Sequence, residues 1–152
     1  MNYKFFIIII ILTSSFGISQ NIYDTKIGDC ETSRFSLESE KETAKIDDSQ
    51  LFKVIHNALD EDVHNKLRGL LKLQIIVYTD GSSCLLSYEN DTNIDKKDLN
   101  LNQLKSLIGS ELEWNQLEES VSVLLEVKFK KKKTKLFRYG MQGSLGWHRL
   151  KK

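Results

Sequence analysis

The sequence predicts an α+β domain: a small antiparallel sheet with two helices packed on one face, in the order helix, hairpin, helix, strand. Three observations predict it. Apolar residues recur at helical spacing in two segments, Leu51 to Leu59 and Leu101 to Leu112. Two other segments, Leu71 to Thr79 and Val121 to Phe129, alternate with a period of two. After the first of these, Asp80-Gly81-Ser82-Ser83 has the chemistry of a tight turn, glycine supplying a positive φ without steric cost. At 152 residues, with 40% hydrophobic, 28% charged and no proline, the chain has the size of one domain, which excludes a multidomain machine.

The elements follow in order. Met1 to Lys4 carries one positive charge, Phe5 to Leu12 is unbroken apolar, and Gly17 and Ser19 are small residues three and one before Gln20. That is the layout of a secretory signal peptide over residues 1–19, so export, most simply to a periplasm, is expected. Eight apolar residues rise only about 12 Å as a helix, against a hydrocarbon core of about 30 Å, so no transmembrane anchor is expected. Residues 20–47 read as a polar arm with at most a short strand at Arg34 to Leu37. Asp48-Ser49 opens the first helix, Asp60-Glu61-Asp62 interrupts it, and Gly69 ends it. The hairpin pairs Leu70 to Thr79 with Cys84 to Tyr88, and the second helix ends just before Trp114. Val121 to Phe129 is the cleanest strand, with its odd positions toward the core. Thr134 to Tyr139 reads either as a short returning strand or as the start of a basic tail, and residues 140–152, with three glycines, as that tail. The domain proper is therefore expected at 48–139.

Charge is segregated. Residues 20–127 hold 11 basic and 21 acidic side chains, a balance of −10, whereas residues 128–152 hold 10 basic and no acidic ones. Lys130, Lys131, Lys132, Lys133 and Lys135 are where contact with an anionic surface would concentrate, unless they are solvated lysines guarding a sheet end. Nucleic acid is a poor partner, because no stacking aromatics interleave with the run. Cys30 and Cys84 leave two readings in an exported chain, a disulfide or two separate thiols. His56, His64 and His148 stand at no recognised ligand spacing from either cysteine, so neither a metal site nor a cofactor is expected. The one conceivable catalytic constellation, His56 and His64 with Asp60, Glu61 and Asp62, reads more simply as a solvated helix end.

The run from Leu67 to Gly81, an aliphatic residue, a spacer, glycine, an alternating strand and an Asp-Gly turn, resembles the opening of the C-terminal domain of the energy transducer TonB and its relatives. The later helix, Trp114 and a strand ending in Phe129 resemble the remainder of that domain, so the likeness covers about half of the chain, Leu51 to Phe129. It departs from the pattern in lacking prolines near Leu59 and after Trp114, as well as the family's membrane anchor and proline-rich spacer. The resemblance implies a non-enzymatic periplasmic interaction module that binds a partner peptide or envelope protein by strand addition along Val121 to Phe129. Ser122, Leu124, Glu126 and Lys128 would then face the guest. The alternative is a protein that associates with anionic envelope polymers or lipid head groups through its C-terminal Lys/Arg segment.

Overall fold

The computed structural model describes residues 21–131 and 133–151. The expected leader, residues 1–19, lies outside the described residues, as do Lys132 and Lys152. Seven strands form one sheet: β1 (Thr25–Lys26), β2 (Ser36–Leu37), β3 (Gly69–Val77), β4 (Ser83–Thr92), β5 (Val121–Lys130), β6 (Lys133–Gln142) and β7 (Gly146–Arg149). Three short helices accompany it: α1 (Asp48–Ala58), α2 (Glu61–Lys66) and α3 (Leu101–Glu111). The expected small sheet with two helices on one face is thus corrected to a mostly-sheet fold. Both segments read as arm and tail add strands to the hairpin and β5.

The order across the sheet is β1-β4-β3-β5-β6-β7, every ladder on this path being antiparallel. β2 runs parallel to β5, pairing Ser36 with Val121 and Leu37 with Ser122, where β5 lies beyond the end of its ladder with β6. The Glu38 carbonyl then accepts from the Met141 N–H, so the arm is wedged between the splayed ends of β5 and β6.

One face of the sheet holds the main core. Leu71, Leu73, Ile75 and Val77 of β3 and Val123, Leu125, Val127 and Phe129 of β5 pack with Leu51, Val54, Ile55 and Ala58 of α1 and Leu104 and Ile108 of α3. The carboxylate of Asp47 caps α1 by accepting from the Ser49 N–H at 2.8 Å, one residue earlier than the Asp48-Ser49 pair suggests. Gly69 opens β3 rather than merely ending a helix. Its φ is +108°, and a Cβ there would collide with the Asp91 carbonyl of β4.

The second face carries rows of side chains set by the same registers. Ser87, Gln74, Leu124 and Tyr139 make one row, Glu89, Lys72, Glu126 and Phe137 the next, and Asp91, Leu70, Lys128 and Lys135 the third. Over the first row lies the start of the described chain: Ile22 N–H donates to Gln74 Oε1 at 2.8 Å and Tyr23 N–H to Ser87 Oγ. This strap, together with Gln74–Ser122 and Ser87–Gln74 hydrogen bonds, satisfies polar side chains that are wholly buried. Cys30 and Cys84 are joined as a disulfide with Cα atoms 5.8 Å apart, pinning the strap to β4.

Candidate functional site

The strand chosen from sequence as a docking edge is not an edge. β5 is paired with β3 from Val121 to Phe129 and with β6 from Leu124 to Lys130, and β2 covers the remainder of its outer side. Its backbone groups are committed to these ladders, so no guest strand can add there. Ser122 and Leu124 are also buried, Ser122 in the hydrogen bond from Gln74 Nε2 and Leu124 beneath the strap. Glu126 and Lys128 lie on the second face, half-buried, with no ion pair among the described residues. The physical reason for the correction is β6: its Lys- and Arg-rich sequence resembles a solvated tail, yet it pairs with β5 along most of its length.

The true lateral edge beyond β6 is β7. The Leu150 N–H donates to the Arg138 carbonyl, so by antiparallel alternation His148 and Gly146 also turn their backbone groups toward β6. Trp147 and Arg149 consequently turn theirs outward. Lys151 continues this alternation by bridging outward to Lys41. Among the described residues the exposed large apolar side chains are Met141, Leu145 and Trp147, at 41%, 64% and 49% exposure, and all three belong to the β6–β7 hairpin. Trp147 stands opposite Met141 on the second face and helps line a groove of about 270 Å³ with Ile22, Tyr23, Leu124 and Tyr139.

Polar groups border the groove. Lys72 donates to Glu89 Oε1 at 2.6 Å and pairs with Asp91 at 2.9 Å, hydrogen bonds that raise its ammonium pKa well above the ordinary lysine value. Burial pushes the Tyr23 phenol up to about 12, so the ring is neutral where it lines the groove. On the neighbouring strand the Arg149 guanidinium lies 3.7 Å from the Phe137 ring centroid, a close cation–π stack that orients the end of β7. The site therefore combines an aromatic and aliphatic trough with a strand whose outward N–H and C=O groups alternate alongside it. Such an arrangement has the elements that extended-chain recognition uses, a ladder for affinity and a trough for side-chain selection.

The other sequence-derived candidates are scattered. Lys130, Lys131, Lys133 and Lys135 surround the β5–β6 turn, and Lys132 of the same run is outside the described residues. The His56 and His64 rings meet at 4.4 Å between centroids where α1 joins α2, and burial, seconded by His56, holds the His64 imidazole below its ordinary value. Asp60, Glu61 and Asp62 beside them are exposed. Among the described residues no group of three or more His, Cys, Asp or Glu side chains could hold a metal ion.

Sequence reasoning missed a buried pair outside the groove. Glu38 accepts from Thr43 N–H at 2.6 Å and Ala44 N–H at 3.0 Å and is ion-paired with Arg138. Arg138 also donates to the Ala44 carbonyl at 2.7 Å and stacks over Trp114, so it ties the arm, β6 and the segment that follows α3 together. Burial raises the Glu38 carboxyl above its ordinary range, against the lowering influence of Arg138 and the two N–H donors. No sequence signal links residues 100 positions apart in this way, since Glu38 stands among Ser36, Ser39 and Glu40 and nothing local marks it as buried.

Comparison with protein-family models, curated proteins and solved structures finds no match for the chain. Nothing in these comparisons identifies a TonB-like family. No helix among the described residues is long and apolar enough to cross a membrane.

Proposed function

We propose that this chain is a non-enzymatic, exported protein-interaction module that takes an extended segment of an envelope protein along the outer edge of β7. The single observation that carries this reading is the gathering of Met141, Leu145 and Trp147 on one hairpin, beside an apolar groove and a strand, β7, that has no further strand beyond it among the described residues except the bridge from Lys41 to Lys151. A side chain of the guest enters the trough between Tyr23, Tyr139 and Trp147, while the guest backbone pairs with the outward groups of Trp147 and Arg149. The Cys30–Cys84 disulfide is consistent with export into an oxidising compartment.

Proline at position 149 tests the reading. The Arg149 N–H points away from β6, so Arg149→Pro removes a donor to the guest without breaking the β6–β7 ladder. The mature chain 20–152 and its Arg149→Pro and Arg149→Ala variants serve as baits for envelope extract, after circular dichroism melts establish that each is folded. A partner retained by Arg149→Ala and lost by Arg149→Pro agrees with strand addition at β7. Equal retention by both variants contradicts it.

A further inference from the structure

Across the β5–β6 hairpin, Lys128 stands directly opposite Lys135 and Lys130 directly opposite Lys133. All four lie on the second face of the sheet, because their β5 members alternate with the core residues Val127 and Phe129. Lys131 extends the cluster at the turn and is exposed. No ion pair among the described residues involves any of these five lysines. Like charges directly opposite one another destabilise an antiparallel pair, so this ladder works against the hairpin that displays it.

Edge protection accounts for only part of the cluster. Lys133 and Lys135 precede the stretch of β6 paired with β7, so they guard an open edge. Lys128 lies within β5, flanked by Leu70 and Lys135, and Lys130 lies on the same strand. Lys128 therefore protects no edge, whereas Lys130 lies one residue past the β3 ladder at the end of β5. Neighbouring strands are about 4.8 Å apart and alternate residues on one strand about 6.8 Å apart, so the four lysines root a block two wide and two deep. A linear acidic peptide meets such a block along one line, whereas a plane of phosphates meets all of it.

We propose that this lysine block is a docking site for the phosphate head groups of an anionic lipid bilayer. The match is one of charge and shape, a compact cationic plane without internal counter-charges against an anionic plane. The inference does not rest on the β7 reading, since it uses the opposite end of the second face and none of the residues that line the groove.

Vesicle sedimentation tests it with the mature chain 20–152, using equal parts of phosphatidylglycerol and phosphatidylcholine against phosphatidylcholine alone. Each lysine near an anionic surface contributes about five-fold to partitioning, so Lys128→Gln/Lys135→Gln should lose about 25-fold. The expected result is binding to the anionic vesicles only, weakened by salt, with the double variant melting no lower than the parent because repulsion has been relieved. Lys130→Gln/Lys133→Gln provides a second pair should the first fail to fold. Equal sedimentation with both vesicle types, absence of binding to either, or unchanged binding by the folded double variants overturns the proposal. A polyglutamate peptide that binds the block more tightly than the vesicles do assigns it to an acidic chain and overturns the bilayer as its ligand. Arg149→Pro retains every lysine of the block, so the two readings fail separately.

Discussion

Replacing Arg138 by methionine leaves the Glu38 carboxylate buried among two N–H donors with no counter-charge. The side chains are 6% and 0% exposed, so solvent cannot compensate the loss. Breaking a buried pair by removing one partner costs about 3–5 kcal/mol, a large share of the roughly 5–15 kcal/mol that holds a domain folded. The loss here includes the donor to the Ala44 carbonyl and the cation stacked on Trp114, which places it toward the upper part of that range. Glu38 already binds its proton more tightly in the folded state than ordinary carboxyls do, and without Arg138 it binds it more tightly still. The folded variant then holds a proton that the unfolded chain releases, so its stability falls as pH rises from the ordinary carboxyl value through the raised one, and is regained on acidification. Urea unfolding at pH 7 and pH 5 measures this for the parent, Arg138→Met and Glu38→Gln/Arg138→Met. The double variant keeps an amide oxygen for Thr43 and Ala44 without a buried charge, and should recover most of the loss at pH 7. A cost below about 1 kcal/mol for Arg138→Met, outside the range expected for a broken buried pair, or a double variant no better than the single, would refute the reasoning.

Two other outcomes follow from the strap. Thiol titration of unfolded, unreduced protein should find no free thiol, and reduction should cost about 4 kcal/mol on the loop-entropy model for a separation of 54 residues, read as a lower urea midpoint. The neutral Tyr23 phenol is favoured by folding, so its contribution is intact below its ordinary value near 10 and is lost as pH rises toward about 12. Comparing urea midpoints at pH 9 and pH 11, Tyr23→Phe should lose less stability than the parent over that interval; an equal loss would place the phenol in water.

The elements legible in sequence were those whose burial is one-sided and local. Leu51, Ile55 and Ala58 mark α1, Leu104 and Ile108 mark α3, and the alternation from Val121 to Phe129 marks β5, because each side chain meets the core at the period of its own backbone. β6 was ambiguous for the opposite reason: Lys133 and Lys135 look solvated, and its pairing is decided by the β5 ladder and by Arg138 reaching Glu38, a contact without a local signature. β1, two residues long, is too short for any period to appear, whereas β2 falls within the short strand expected at Arg34 to Leu37. The misplaced docking edge followed from this, since a strand can be read as last only if the tail beyond it does not pair. Ser122, expected to face a guest, is wholly buried together with its donor Gln74, because a strap from the other end of the chain covers them. The candidate site was legible only in pieces: Trp147 and the lysine run stand out by type, but their placement depends on registers that only the sheet supplies.

Amide hydrogen exchange of residues 20–152, free and saturated with the partner recovered from envelope extract, addresses strand addition at the level of individual backbone groups. The N–H groups of Trp147 and Arg149 point outward from β7 in the free protein and should exchange readily. Those of His148 and Leu150 face β6 and should already be protected. Binding is predicted to slow exchange at Trp147 and Arg149 while leaving β5 amides from Val121 to Phe129 unchanged. Unaltered exchange at Trp147 and Arg149 in the saturated complex, with protection appearing elsewhere, would contradict docking at this edge.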